Sequence, residues 1–405
     1  MINSTGRLVE RLGAKVPSLS LDSLHDAASK RTGSDDFGDP DYREGLERLV
    51  ASIEAESKTN LLGRVSARTQ IVDLLAARLE LTAYRKDHPE LAAEKVERPL
   101  FVLGLPRTGT TLLYELLACD RSSRSPTTWE LSRPCPPPLA ETYQTDPRIA
   151  PIAKNLAQFK QMVPTLDAIH PIGATLPQEC VVVTAPSFRS FQFQLSFDVP
   201  SYQDWYMAAD IAPAYRFHRR FLEHLQSHFR GERWVLKSPA HLGHLDALLA
   251  EYPDARVVQT HRDPVDVIPS VASLHYAVRG FGSDAVDPSV VGAQQSRIWS
   301  EFLDRAMDAR RRHAPSRFLD VRFEDVLADP LAVVRRIYAH FDLRLTAETE
   351  LAMQEHLRGN PREKHGRHTY TPEMFGLTAD GIRRDFGAYR AHLGFDSNDA
   401  RGTHA

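Results

Sequence analysis

The sequence predicts an α/β fold: a P-loop-type central parallel sheet flanked by helices, with a helical N-terminal region before it and an irregular C-terminal segment after it. Three observations predict this. Four short apolar runs are each followed by a helical pattern, the alternation that builds a parallel sheet. Each run ends in polar residues, as befits the sheet's carboxyl edge, where ligands sit. The first run enters a glycine turn, "GLPRTGTT" at 104–111, that opens a helix.

Residues 1–97 read as the helical N-terminal region. Leu46, Leu49, Val50 and Ile53 recur at helical spacing, as do Ile71, Leu74, Leu75 and Leu79. The core follows at 98–345. Its strands are predicted at "PLFVLGL" (99–105), "RWVLKSP" (233–239), "ARVVQTHR" (255–262) and "SRFLDVRFED" (316–325). The helices after them are "TTLLYELLA", "HLGHLDALLAEYP", "DPVDVIPSVASL" and "PLAVVRRIYAHF". An insertion at about 120–230, rich in proline and aromatics, separates the first two strands. Residues 346–405 begin helical and turn basic at "GNPREKHGRHTY".

Composition narrows the function classes. The 405-residue chain has a hydrophobic fraction of 42% and a net charge of -3. That balance argues against a general nucleic-acid binder, so any anion site is local. Three widely spaced cysteines, Cys119, Cys135 and Cys180, suggest neither a disulfide framework nor a metal cluster. No stretch approaches the roughly 20 apolar residues of a membrane span, and the first residues lack a secretory apolar run. A cytoplasmic protein is expected.

The turn at 104–111 nearly matches the nucleotide-triphosphatase loop G-x-x-x-x-G-K-[ST]. Gly104 and Gly109 hold the glycine positions and Thr111 the hydroxyl position, but Thr110 replaces the lysine. A cation appears earlier, at Arg107. Backbone N–H groups of 107–111 at a helix N-terminus suit an anion, and the hydroxyls of Thr108, Thr110 and Thr111 add hydrogen bonds. Without the lysine that serves β- and γ-phosphates, the loop suits a transferred group carrying less charge, such as a sulfuryl group. Alternatively it is a plain strand–turn–helix junction.

Two more strand ends carry chemistry. In "THRDPVDVIPS", Asp263 caps a helix with Pro264 at its first position. Arg262 and Ser270 then form a second phosphate site, or else a surface arginine beside a capped helix. Pro269 predicts a local kink. In "WVLKSPAH", Lys237 ends an apolar strand, which is costly unless it meets an anion or water.

"LPRTGTT", "LKSPAH" and "HRDPVDVIPS", in this order, resemble the sulfotransferases that use 3′-phosphoadenosine 5′-phosphosulfate. The likeness is nearest to the bacterial group in which W-x-L-K-S-P-x-H-L precedes Y-P-D-A-R and H-R-D-P, and it covers about 98–345. The resemblance implies a P-loop-type fold and no metal. It implies that Pro106, Arg107, Thr108, Gly109, Thr110 and Thr111 bind the 5′-phosphosulfate end. It also implies that Arg262 and Ser270 bind the 3′-phosphate and that Lys237 contacts the leaving-group side of the sulfonate. Arg107 in place of the loop lysine, and the lack of a K-T-H triplet, depart from the cytosolic branch. The expected reaction is in-line displacement by an acceptor hydroxyl, with Arg107 and Lys237 stabilising charge.

Glu130 in "TTWEL" is the first candidate base, by resemblance to tyrosylprotein and glycan sulfotransferases; His241 and His170 are alternatives. Arg362, Lys364, His365 and Arg367 form a basic cluster that either closes over the nucleotide or is a solvated loop. Phe188, Phe191, Phe193, Phe197, Tyr202, Trp205 and Tyr206 either line an apolar acceptor pocket or pack as core. The acceptor is a small molecule, lipid or glycan with a hydroxyl. Competing readings are a P-loop kinase and a non-catalytic nucleotide-binding protein.

Overall fold

The computed structural model describes residues 16–162, 172–360 and 371–395. The chain divides into two compact units. One comprises the described residues up to Glu97 with Arg124–Trp234 and Ala277–Val286. The other comprises Arg98–Ser123, Val235–Tyr276 and the chain from Asp287 onward.

The first unit begins with the expected helices α1 (Leu21–Thr32), α2 (Tyr42–Glu56) and α3 (Leu61–Asp87). Each has a sequence reason for its position. Ser20 caps α1, its hydroxyl accepting from the Ser23 N–H, and Gly33 closes it in the left-handed conformation. Asn60 caps α3 by accepting from the Gly63 N–H at 2.9 Å. Leu46, Leu49, Ile53, Ile71, Leu75 and Leu79 are buried as the spacing predicts. The aromatic insertion is not a strand. Its "FRSFQFQLSF" alternation holds the short helix Gln192–Ser196, just after a 3-10 turn at Ala185–Ser187.

The second unit holds the parallel ladders. Strand β1 (Leu100–Gly104) leads into α4 (Thr110–Ala118), over the residues expected. Strands β3 (Arg233–Lys237), β4 (Arg256–His261) and β5 (Phe318–Arg322) follow. A two-residue strand, β2 (Ser123–Arg124), lies at one sheet edge. The order is β2-β3-β1-β4-β5, with β1 parallel to β3 and β4, and β4 parallel to β5. Strand β1 is therefore central, and the chain spreads from it to both sides. The turn after such a strand opens at the crevice where ligands of these sheets bind.

Helix α5 (Pro264–Gly282) continues through Pro269, where a kink is expected from sequence. The long helix α6 (Pro288–Arg311) starts at Asp287, whose side chain accepts from the Ser289 N–H. Helix α7 (Pro330–His340) lays Val333, Val334 and Ile337 against the core formed with Leu100, Val102, Leu113 and Val258. The C-terminal helix α8 (Gly387–Leu393) follows in the same unit.

Candidate active site

Local sequence dictates the shape of the glycine turn. Gly104 has φ 148° and Gly109 φ 85°, backbone conformations that side chains rarely adopt. At Gly104 space forbids a side chain as well, because a Cβ would lie 2.2 Å from the Thr260 hydroxyl oxygen. Arg107 also takes a left-handed φ, 67°, and its side chain is exposed. Such backbone strain at a non-glycine residue marks a segment held by its surroundings. Thr108 supplies part of that hold. Its hydroxyl donates to the Leu105 carbonyl at 2.6 Å and pairs with the Thr260 hydroxyl at 2.6 Å. Its side chain is fully buried and braces the turn against β4.

Cations from the strands on either side of β1 reach this turn. On β3, Lys237 pairs in register with Val102, which sets its Cα level with the last residues of β1. It is 3% exposed, and its Nζ donates to the Thr111 hydroxyl at 3.3 Å. After β4, Arg262 donates from Nη1 to the Arg107 carbonyl at 3.2 Å. Its guanidinium lies 4.3 Å over the ring of Phe323, the residue that follows β5. Asp263 starts α5 as expected, its Oδ1 accepting from the Val265 N–H at 3.0 Å. Ser270 is half-buried two turns into α5, and its hydroxyl takes no side-chain hydrogen bond among the described residues.

Glu130 belongs to the first unit. It is fully buried as the third helical residue of a capping box begun by Thr127. Its Oε1 pairs with the Arg124 guanidinium. Its Oε2 accepts from the Thr127 N–H at 2.8 Å, the Thr127 hydroxyl at 2.9 Å and the Tyr143 hydroxyl at 3.0 Å. Arg124 also donates to the Leu225 and Phe229 carbonyls at 2.7 and 2.6 Å.

The insertion aromatics pack on one another. Phe188, Phe193 and Tyr202 have no exposed surface, and Tyr202 donates to the Phe188 carbonyl at 3.0 Å. Of the two expectations for these residues, core packing describes all but the half-exposed Trp205. His241 is buried in a 3-10 turn, its ring edge-on to Phe101 at 5.2 Å. His170, Arg362, Lys364, His365 and Arg367 lie outside the described residues.

Thr260 and Phe323 escaped the sequence reading, and so did the buried pair Tyr389 and Arg390. Their signals were faint: a hydroxyl inside "VVQTH", an aromatic just past a strand in "RFED", and an arginine within the apolar run "AYRAHL".

A central parallel strand, a glycine turn at its end and cations from both neighbouring strands define a P-loop-type anion-binding enzyme. A family model described as "Sulfotransferase family" matches residues 99–347, and the chain belongs to that family. It is 28% identical over 317 residues to the omega-hydroxy-beta-dihydromenaquinone-9 sulfotransferase Stf3 of Mycobacterium tuberculosis, covering 68% of this chain and 76% of the relative. Among solved structures, sulfotransferase STF1 of Mycobacterium tuberculosis H37Rv superposes with TM-score 0.83 at 35% identity, covering 91% of this chain and 98% of that one. Sulfotransferase STF9 of Mycobacterium avium gives TM-score 0.83 at 31% identity, covering 93% and 97%. The reaction is therefore sulfuryl transfer.

Proposed function

We propose that the donor is 3′-phosphoadenosine 5′-phosphosulfate, with its 5′ end on residues 106–111 and its 3′-phosphate on Arg262 and Ser270. One observation carries the reading: Arg262 and Lys237, from strands on opposite sides of β1, both bond to the turn at 107–111. A nucleotide with an anionic group at each end, a 5′-phosphosulfate and a 3′-phosphate, would meet both cations. The backbone N–H groups of the turn and the exposed Arg107 supply the remaining positive field. Thr110 and Thr111 head the helix whose dipole points at the same place. In this reading Arg362 and Lys364 join the donor site, on family likeness alone.

The acceptor oxygen attacks sulfur as the bond from sulfur to the bridging phosphate oxygen breaks. Adenosine 3′,5′-bisphosphate leaves. Lys237 and Arg107 stabilise the charge growing on the bridging oxygen and the sulfonate. The transferred group carries a single negative charge, so the site does this without a metal. Glu130, the candidate base by family likeness, takes the acceptor proton. The acceptor class is a hydroxyl-bearing lipid or small molecule, as the lipid quinone in the name of Stf3 suggests.

The test is binding and turnover without metal. Adenosine 3′,5′-bisphosphate should raise the melting temperature where ATP does not. Lys237→Ala should cut kcat by about 100-fold or more and change nucleotide Kd by less than about threefold, because its bond strengthens only in the transition state. Equal losses in kcat and binding would refute that role, and preference for ATP would refute the donor.

A further inference from the structure

Arg262 is flanked by His261 and Asp263, and α8 holds both flanks. The Tyr389 hydroxyl donates to His261 Nδ1 at 2.9 Å. The Arg390 guanidinium pairs with the Asp263 carboxylate. On its other edge His261 donates from Nε2 to Asp320 at 2.7 Å, and Arg310 grips that carboxylate through both oxygens at 2.6 and 2.7 Å. Both ring nitrogens are thus engaged, and burial, the main influence, holds the ring's pKa below the ordinary histidine value. Tyr389, Arg390 and His261 are 2%, 0% and 1% exposed.

A fully buried arginine is costly unless it is paired and hydrogen-bonded. A capped helix start needs no such partner, since Asp263 already accepts from the Val265 N–H. The second bond to Asp263 has a different consequence. Together with the Tyr389–His261 bond it holds the side chains immediately before and after Arg262. The side chain leaving that fixed point rests on Phe323 and reaches the turn.

We propose that Tyr389 and Arg390 are positioning residues of the donor site: by clamping both neighbours of Arg262 they aim its guanidinium and so set selectivity for a nucleotide bearing a 3′-phosphate. The inference rests on the reading that Arg262 binds that phosphate. A guanidinium recognises phosphate through a planar fork, so a tilt at its base weakens the contact without removing the charge.

The experiment measures Kd for adenosine 3′,5′-bisphosphate and for adenosine 5′-monophosphate by calorimetry on the full chain. The readout is their ratio, which general loosening of the fold does not move. Arg262→Ala should reduce the ratio by about 30-fold or more, as loss of a charge-assisted contact does. Tyr389→Phe should reduce it by about three- to tenfold, since it deletes one oxygen and leaves Arg262 in place. Arg390→Met should do so at least as strongly, and Arg390→Lys, which keeps a cation for Asp263, should restore part of the loss. If Arg390→Met fails to fold, Tyr389→Phe and Asp263→Asn still decide the matter. A ratio lost in Arg262→Ala but intact in Tyr389→Phe and Asp263→Asn overturns the clamp alone. Affinities for both nucleotides falling together in the clamp variants overturns it too. An intact ratio in Arg262→Ala overturns the donor reading, and the clamp with it.

Discussion

Arg124 is 3% and Glu130 0% exposed, so their ion pair is almost dry. The guanidinium is sandwiched between Phe229 at 4.5 Å and Trp234 at 4.7 Å. Removing one charge of such a pair leaves the other buried and uncompensated, a cost of about 3–5 kcal/mol. Glu130→Gln is therefore expected to destabilise the protein by that amount, read as a shift in denaturant midpoint. The proposed base role adds a separate expectation. At a temperature where Glu130→Gln remains folded, kcat should fall by about 100-fold or more with donor Kd within about twofold of wild type. Near-full kcat in the folded variant would leave Glu130 a purely structural carboxylate. Sequence could place Glu130 after the loop helix but could not reveal its four bonds. Three of the donors, on Thr127 and Arg124, are near in sequence, and "SRSPTTWEL" reads as a capping box only once Thr127 is known to start the helix.

At the scale of elements, β1 and β4 pair so closely that Gly104 faces Thr260 in register. A Cβ on Gly104 would lie 2.2 Å from the Thr260 hydroxyl and 2.6 Å from its carbonyl oxygen. Gly104→Ala should cost about 2–6 kcal/mol, adding overpacking to backbone strain. Adding Thr260→Ala should recover only part of this, because the carbonyl stays. A denaturant midpoint unchanged in Gly104→Ala would show that the strands yield. The elements legible in sequence were those with local signatures. "PLFVLGL" and "TTLLYELLA" became β1 and α4, since a continuous apolar run into glycine and a helical repeat after it admit little else. Helix α6 carries a local start signal, Asp287-Pro288, but it lies away from the strand ends that organise the sheet. Strand β2 has two residues and no periodicity to read. In "FRSFQFQLSF" the alternation mimics a strand, but the stretch packs its aromatics around a short helix instead.

Across the whole molecule the net charge is only -3, so the positive field at the glycine turn is a local arrangement rather than a property of the chain. Burial of histidine sets a second global property. His218 and His224 in one unit, and His244 and His261 in the other, are all buried. Desolvation pulls the first three down to about 3, about 4 and about 3, and lowers His261 as well. Their unfolded value is about 6.5. Above that value neither state is protonated, so the full contribution to stability is present. Below it the unfolded chain binds protons that the folded chain refuses, and stability falls as pH drops toward 3–4. Each such histidine contributes a slope of about 1.4 kcal/mol per pH unit in that window. Glu223 opposes them, because burial raises its pKa and the folded state takes its proton first. Against a total stability of about 5–15 kcal/mol, the three most depressed histidines outweigh that opposition. The denaturation midpoint should fall steadily from pH 7 to pH 5, well above the range where most carboxylates titrate. His218→Gln should flatten that slope, since one of the depressed histidines leaves the difference in bound protons. A midpoint that holds or rises between pH 7 and pH 5 would mean that these rings take up protons inside the folded protein.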